Sequence, residues 1–218
     1  MAAPAATETR AERGARTRRA LLDSAQEAFL EQGLDAASVD RIARGAGFTK
    51  GAFYTHFDSK RALILALLDE RFSTQIERFR DKLAGVGEPG EETLAAATDF
   101  VENTLSDRDW TSLFLQFAAY AARDEGFREE FVGRYKLHQE QLADLLSHWN
   151  PRLAEVAGDR PIEASVMVFA LTNGFVLERL IDPEIDDALF GESLLIFLRG
   201  FEALSAERGA VPFSAPRD

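Results

Sequence analysis

Cysteine is missing from all 218 residues. Its absence excludes disulfide staples, thiolate nucleophiles and cysteine-ligated zinc, and suits a reducing cytoplasm, the expected setting. Long apolar runs are missing too. None approaches the ~18 residues of a membrane span, and no membrane partner is expected. The opening "MAAPAATETRAERGARTRR" holds arginines but no apolar core, so it is not read as a secretory signal. Histidine is scarce: the three are His56, His138 and His148. The last two do not have the i, i+4 spacing of a helical zinc site, and no metal or other cofactor is expected. There is no glycine-rich phosphate loop after a strand and no G-x-S-x-G, and the carboxylates are dispersed. No catalytic residue is expected, and the chain is not read as an enzyme.

Basic charge is the remaining shortage, with 25 Lys+Arg against 37 Asp+Glu and a net charge of −12. Such a balance argues against a polyanionic partner. The deficit is uneven, however. Residues 1–60 carry nine basic and eight acidic side chains, net +1, while residues 61–218 carry sixteen and twenty-nine, net −13. A surface that touches nucleic acid is compatible only with the first segment. Acidity in the second serves solubility.

Apolar residues recur at helical spacing almost throughout, and no stretch keeps a strand's two-residue alternation. Residues 1–16 lack apolar periodicity and are expected to form a mobile arm. From Thr17, Leu21, Leu22, Ala25, Ala28 and Phe29 mark a first helix, which Gly33 and Leu34 end. Ser38 caps a short second helix, with Asp40 in its first turn and Val39, Ile42, Ala43 and Ala46 inward. Gly47 breaks it, Thr49 caps a third helix, and Ser59 caps a long fourth one. Two short helices joined by the glycine-containing turn "GAGF" have the helix-turn-helix layout. Further helices are expected near 60–83, 91–106, 109–122, 126–148, 162–182 and 187–205, separated by Gly-, Pro- or Asp-rich breaks. The expected architecture is all-α: an arm at 1–16, a helix-turn-helix domain at 17–62, a second helical domain at 63–207 and a tail at 208–218.

The stretch "GFTKGAFYTHF" at 47–57 concentrates two glycines, a lysine, a histidine and four aromatics. On a helix capped by Thr49, Phe53 and Phe57 share one face and belong to the core, with Phe48 ahead of the cap. Lys50, Gly51, Tyr54 and Thr55 remain outside. Lys50, and Lys60 with Arg61 in the next helix, put positive charge at helix N-termini, which opposes the helix dipole. Gly51 inside a helix costs about 1 kcal/mol relative to alanine. Each choice taken alone has an ordinary structural explanation, since a first-turn lysine is usually just solvated. Together they suit a phosphate backbone, which pairs with the lysines, accepts bonds from helix N-termini and approaches a bare glycine closely. Tyr54 and His56 add donors nearby. A helical adaptor whose helix-turn-helix meets protein, without operator binding, is the alternative.

"SVDRIARGAGFTKGAFYTHFDSKRAL" closely resembles the DNA-binding segment of TetR/AcrR-type transcriptional regulators. Ser38, Ile42, Ala43, Ala46, Gly47, Thr49, Gly51, Phe53, Tyr54, His56, Phe57, Ser59, Lys60 and Leu63 stand at positions of that family's pattern. Phe48 replaces the usual Val or Ile. Thr55 stands where a second aromatic or a basic residue is often found, so base preference is not carried over. The resemblance implies a homodimeric, ligand-responsive DNA-binding regulator, most often a repressor of a palindromic operator, with its recognition helix at 49–56. The residues expected to meet double-stranded DNA are Ser38, Thr49, Lys50, Gly51, Ala52, Tyr54, Thr55, His56 and Lys60.

The second domain would then bind an effector and dimerise. Residues 162–182 and the helix through 204 are apolar on more than one face, and a surplus apolar face calls for a partner. One buried central helix is the structural alternative. Gly174, Leu194, Phe197, Leu198 and Phe201 are the expected interface, two helices from each subunit. Large aromatics beside isolated polar groups are the make-up of a ligand pocket, and an apolar or aromatic small molecule is expected among Phe100, Trp110, Phe114, Gln116, Phe117, Tyr120, Phe169, Thr172 and Asn173. The same aromatic stripe is equally compatible with plain core.

Overall fold

Helix starts in this chain are written by short polar side chains, and the computed structural model places those caps one after another. It describes residues 9–84, 107–149, 161–186 and 188–208. The helix expected at 91–106, with Phe100, lies outside the described residues, as does the tail from 209. Among the described residues there are eight helices and no strand. The chain divides into two compact units, one of residues 1–71 and 112–132, the other of 72–111 and 133–218.

In the first unit, α1 runs Arg10–Ala36. It starts seven residues before the apolar periodicity does, so residues from Arg10 to Arg16 are helical where an arm was expected. The cause is a capping box. The Glu12 amide donates to Thr9 Oγ1 at 3.2 Å, and the Thr9 amide donates to the Glu12 carboxylate at 2.6 Å, so two orphan donors are satisfied reciprocally. That hydrogen bond from the Thr9 backbone also holds the Glu12 carboxyl below its usual range. Leu21, Leu22, Ala25, Ala28 and Phe29 are buried as their spacing predicts. Gly33 takes φ 78°, and the buried Leu34 folds in behind it.

The second helix, α2 (Val39–Gly45), is capped by Ser38, whose Oγ accepts from the Arg41 amide. Its end is a Schellman motif. The Phe48 amide donates to the Ala43 carbonyl at 2.8 Å and the Gly47 amide to the Arg44 carbonyl at 3.0 Å, with Gly47 at φ 79°. Only glycine adopts that backbone cheaply. In α3 (Lys50–His56), the Ala52 amide donates to Thr49 Oγ1. Phe53 and Phe57 are buried with ring centroids 5.6 Å apart. A fully buried ring of this size stabilises the fold by roughly 1.5–3 kcal/mol, enough to hold a seven-residue helix that propensity alone would not.

A long α4 (Lys60–Leu83) follows, its Ala62 amide donating to Ser59 Oγ. Residues Leu63 to Leu68 are all buried. Helix α5 (Arg108–Ala121) has Asp107 at its cap, and α6 spans Glu125–Trp149. The ends of these two that fall in the first unit supply Phe117, edge-to-face with Phe29 at 6.5 Å, and the chain of rings Tyr120, Phe127 and Phe131.

The second unit holds the rest, with α7 (Pro161–Ile181) and α8 (Ala188–Arg208) paired. Phe190 and Leu194 of α8 are buried against Val168, Leu171, Phe175 and Val176 of α7. The Phe175 and Phe190 rings meet edge-to-face at 5.3 Å.

Candidate nucleic-acid interface

The inward half of the helix-turn-helix decides what its outward half displays. Ser24 of α1 is buried, and its hydroxyl donates to the Ile42 carbonyl at 2.9 Å. A Cβ on Gly45 would lie 2.4 Å from that hydroxyl oxygen. Gly45 therefore lets α2 close down on α1, a role its exposed, end-of-helix position in the sequence did not suggest. With Phe53 and Phe57 turned inward, Lys50, Gly51, Tyr54 and Thr55 stay exposed and Ala52 is half-buried. Tyr54 is 49% exposed and its ring leans edge-to-face on Phe53, so a large aromatic is held outward. The Thr55 hydroxyl donates to the Gly51 carbonyl at 3.2 Å. Lys50 has no acidic partner among the described residues.

The arginines of α2 differ. Arg41 pairs with Glu31 at 2.6 Å, and Arg44 pairs with Asp40. Of the lysine and arginines on α2 and α3, Lys50 is thereby the one left without an acidic partner among the described residues. Ser38 and Thr49 spend an acceptor lone pair each on their caps and keep a hydroxyl hydrogen to donate. His56 is half-buried at the end of α3, where its ring faces Gly14 of α1.

Lys60 lies differently from its expected direction. Its Nζ donates to the Leu34 carbonyl at 2.6 Å and the Ala37 carbonyl at 3.0 Å. These carbonyls close α1 after the Gly33 kink and lack helical partners. Two of the three ammonium donors are thus held inside the first unit, and one is left over. Its neighbour Arg61 donates through Nη2 to Asp124, and Gly126 leaves room for the guanidinium.

The expected pocket residues fall into two groups. In the second unit, Phe72 lies among Trp110, Tyr135, His138 and Phe169, with ring centroids 4.8 to 6.1 Å away. The Asn173 amide donates to the Tyr135 hydroxyl at 3.0 Å, and the Thr172 hydroxyl to the Val168 carbonyl. Burial pushes the Tyr135 hydroxyl pKa up, against the pull of Asn173, and pushes the His138 pKa down. Phe72, Tyr135 and His138 were not expected there. The signal was the i, i+3 pair of Tyr135 and His138 on one helix, with Phe72, Ile76 and Phe79 as the stripe facing inward. Phe114, Gln116, Phe117 and Tyr120 belong to the first unit instead. Phe114 rests on Phe131, Phe117 on Phe29 and Tyr120 on Phe127. A helix rises about 1.5 Å per residue, so Trp110 and Phe117 share a face and still meet different neighbours roughly 10 Å apart.

The expected interface residues divide as well. Leu194 is buried and Phe197 half-buried against α7 of the same chain. The side chains of Leu198 and Phe201 lie outside the described residues. Gly174 is exposed. It stands in a stripe of Met167, Ala170, Gly174, Leu177 and Ile181, all exposed and spaced three and four apart. On α8, Leu189 and Ile196 are 50% and 71% exposed. Among the described residues, these and Val166 are apolar positions of α7 and α8 left exposed.

Among the described residues no helix is long and apolar enough to cross a membrane, and no group of metal-ligating side chains assembles.

Residues 21–67 match the family described as bacterial regulatory proteins, tetR family, and residues 89–195 match the BetI-type transcriptional repressor C-terminal family. The chain is 34% identical over 171 residues to the HTH-type transcriptional regulator SrpR of Pseudomonas putida, covering 75% of each. A transcriptional regulator from Pseudomonas aeruginosa PAO1 superposes with a TM-score of 0.71 at 20% identity, over 88% of this chain and 92% of that one. The regulator FadR from Bacillus subtilis, solved in complex with stearoyl-CoA, superposes with a TM-score of 0.65 at 19% identity, over 84% and 98%.

Proposed function

This chain belongs to the tetR family of bacterial regulatory proteins, and on that premise we propose a cytoplasmic homodimeric repressor that a small apolar or aromatic ligand releases from a palindromic operator. Membership of the family makes it a helix-turn-helix transcriptional regulator and not an enzyme. One observation carries the operator reading. Lys50, Gly51, Tyr54 and Thr55 form the exposed face of a short helix whose other face is locked into the core, in the one segment of an acidic chain that is close to neutral. A rigid helix presenting a cation, a bare backbone and two hydroxyls suits the major groove, with Ser38 and Thr49 donating to phosphates beside it. A pair of such helices spans half-sites one helical turn apart. The apolar stripes of α7 and α8 are the surface that would pair the subunits.

We infer that the effector binds at the aromatic cluster of the second unit, among Phe72, Trp110, Tyr135, Phe169 and Asn173. The FadR neighbour was solved with a long-chain acyl thioester, and a lipophilic ligand suits this lining. Helix α4 carries both Phe72 and, at its start, Lys60 and Arg61. A ligand that prefers one position of α4 shifts the recognition helices only by its differential affinity for the two states, and operator DNA must weaken that ligand by the same factor.

Selection from a randomised duplex library tests the operator reading. The wild-type protein should enrich a two-fold symmetric sequence, and Lys50→Ala should change its preferred bases. Enrichment of no sequence would overturn it. For the effector, Trp110 fluorescence is read while a series of fatty acyl thioesters and aromatic compounds is titrated. Quenching that is equally tight with and without the selected operator would remove the release mechanism and leave DNA binding standing.

A further inference from the structure

The early start of α1 has a consequence for DNA binding. In a chain of net charge −12, residues 10–19 carry five arginines and one glutamate, net +4. All five arginines are exposed. The single glutamate, Glu12, is engaged in the Thr9 capping box. Arg19 is neutralised by Asp23 and Glu70. Arg10 and Arg13 have no acidic partner among the described residues.

Geometry places this charge beside the recognition helix. At 3.6 residues per turn, positions 10, 14 and 18 form one stripe along α1. Two of the three touch the end of the helix-turn-helix. A Cβ on Gly14 would stand 3.9 Å from the His56 ring, and the Arg18 guanidinium lies over the Phe57 ring at 5.3 Å. Arg10 continues that stripe one turn past His56, and Arg13 lies on the adjoining face. Glu12 falls on the opposite side of the helix, roughly 160° around from Gly14. The capping box makes these turns rigid, so the arginines stand at fixed positions instead of sampling a free arm.

We propose that Arg10 and Arg13 form a second DNA contact, binding the phosphates that flank the base pairs met by α3. The proposal rests on the operator reading above and extends it outward along the duplex. Continuity with the α3 surface and charge of the complementary sign identify the occupant as duplex backbone. An acidic protein partner would not need the patch to adjoin His56 and Phe57. Arginine suits the role because its planar fork meets phosphate oxygens in pairs.

The experiment uses the duplex selected with the wild-type protein, extended by about ten unselected base pairs on each side, and measures affinity across a salt series. Each phosphate contact contributes about 0.9 to the slope of log affinity against log salt. Arg10→Ala/Arg13→Ala removes two contacts in each subunit, so the dimer's slope should become shallower by about three to four on the extended duplex. On a duplex trimmed to the selected core it should match the wild type. Arg10→Lys/Arg13→Lys should retain most of the slope. Arg78→Ala/Arg80→Ala removes the same charge elsewhere and controls for long-range attraction. An unchanged slope for Arg10→Ala/Arg13→Ala overturns the proposal, as does an equal change for the Arg78 and Arg80 control. A loss that depends on the flanking base sequence overturns the phosphate assignment in favour of groove readout. If the wild type selects no duplex at all, the operator reading fails first. If it selects one and the arginine variant keeps its slope, only the flanking contact fails.

Discussion

Arg61 Nη2 donates to both carboxylate oxygens of Asp124, at 2.9 and 3.0 Å, and so ties the first turn of α4 to the turn between α5 and α6. The same carboxylate accepts from the Phe127 amide at 2.8 Å and from the Tyr120 hydroxyl at 3.3 Å. One aspartate therefore caps α6 and anchors the helix that follows α3. A Cβ at Gly126 would stand 3.2 Å from Arg61 Nη1, so the glycine gives the guanidinium room.

The Phe127 amide holds the Asp124 carboxyl below its ordinary value of 3.8; partial burial opposes this and Arg61 adds to it. A lowered folded-state pKa contributes stability that is fully present above the unfolded value and lost as pH falls through the folded one. The gap in urea midpoint between wild type and Asp124→Ala should therefore be constant from neutral pH to about pH 5 and close below about pH 4. Asp124→Asn keeps an acceptor for the cap but not the charge, so it should lie between them. A gap that widens on acidification would contradict the assignment.

Lys60→Met should lower stability by about 1.5–3 kcal/mol in equilibrium unfolding, the usual range for hydrogen bonds that involve a charged group. Far-UV circular dichroism should show native helix content unchanged, and sedimentation an unchanged oligomeric state. A change under ~0.3 kcal/mol would mean that water serves Leu34 and Ala37 equally well.

Gly45→Ala should cost roughly 1–3 kcal/mol, the range for overpacking a close helix contact. Removing the obstructing hydroxyl offers the check. In Ser24→Ala/Gly45→Ala the nearest atom to the new Cβ is the Ser24 Cβ position at 3.6 Å, ordinary contact distance. The double variant should be more stable than the sum of the single losses predicts, a coupling that a double-mutant cycle reads directly. Additive losses would place the strain elsewhere.

Ile196→Glu and Leu194→Glu, two positions apart on α8, should fail in different ways. Ile196 is 71% exposed and Leu194 is 8% exposed. The first should give folded monomers in sedimentation with little change in thermal midpoint at low concentration. The second places a carboxylate between α7 and α8 of one chain and should destabilise the subunit itself by several kcal/mol. Dimers of unchanged affinity in Ile196→Glu would remove α8's exposed stripe from the interface.

Much was legible in the amino-acid order because it is local. Periodicity placed the described helices, Ser38, Thr49 and Ser59 placed three of their starts, and Gly33 and Gly47 marked breaks, both of which take positive φ. The outward set of α3 followed from Phe53 and Phe57 standing four apart. Even the early start of α1 was written locally, in the Thr9 and Glu12 of a capping box, although apolar periodicity is silent about a polar helix. Tertiary structure decided the rest, because it depends on which distant groups arrive alongside. Lys60 turns inward because the Gly33 kink leaves two carbonyls open beside it. The aromatic stripe of α5 divides because its ends meet different neighbours. On α7 and α8 the sequence by itself determined that apolar surface exceeds what one contact buries; only the packing of Phe190 and Leu194 against α7 decided which residues remain outside. A helix's own residues count its apolar positions, but the order in which those positions are covered is set by its partners.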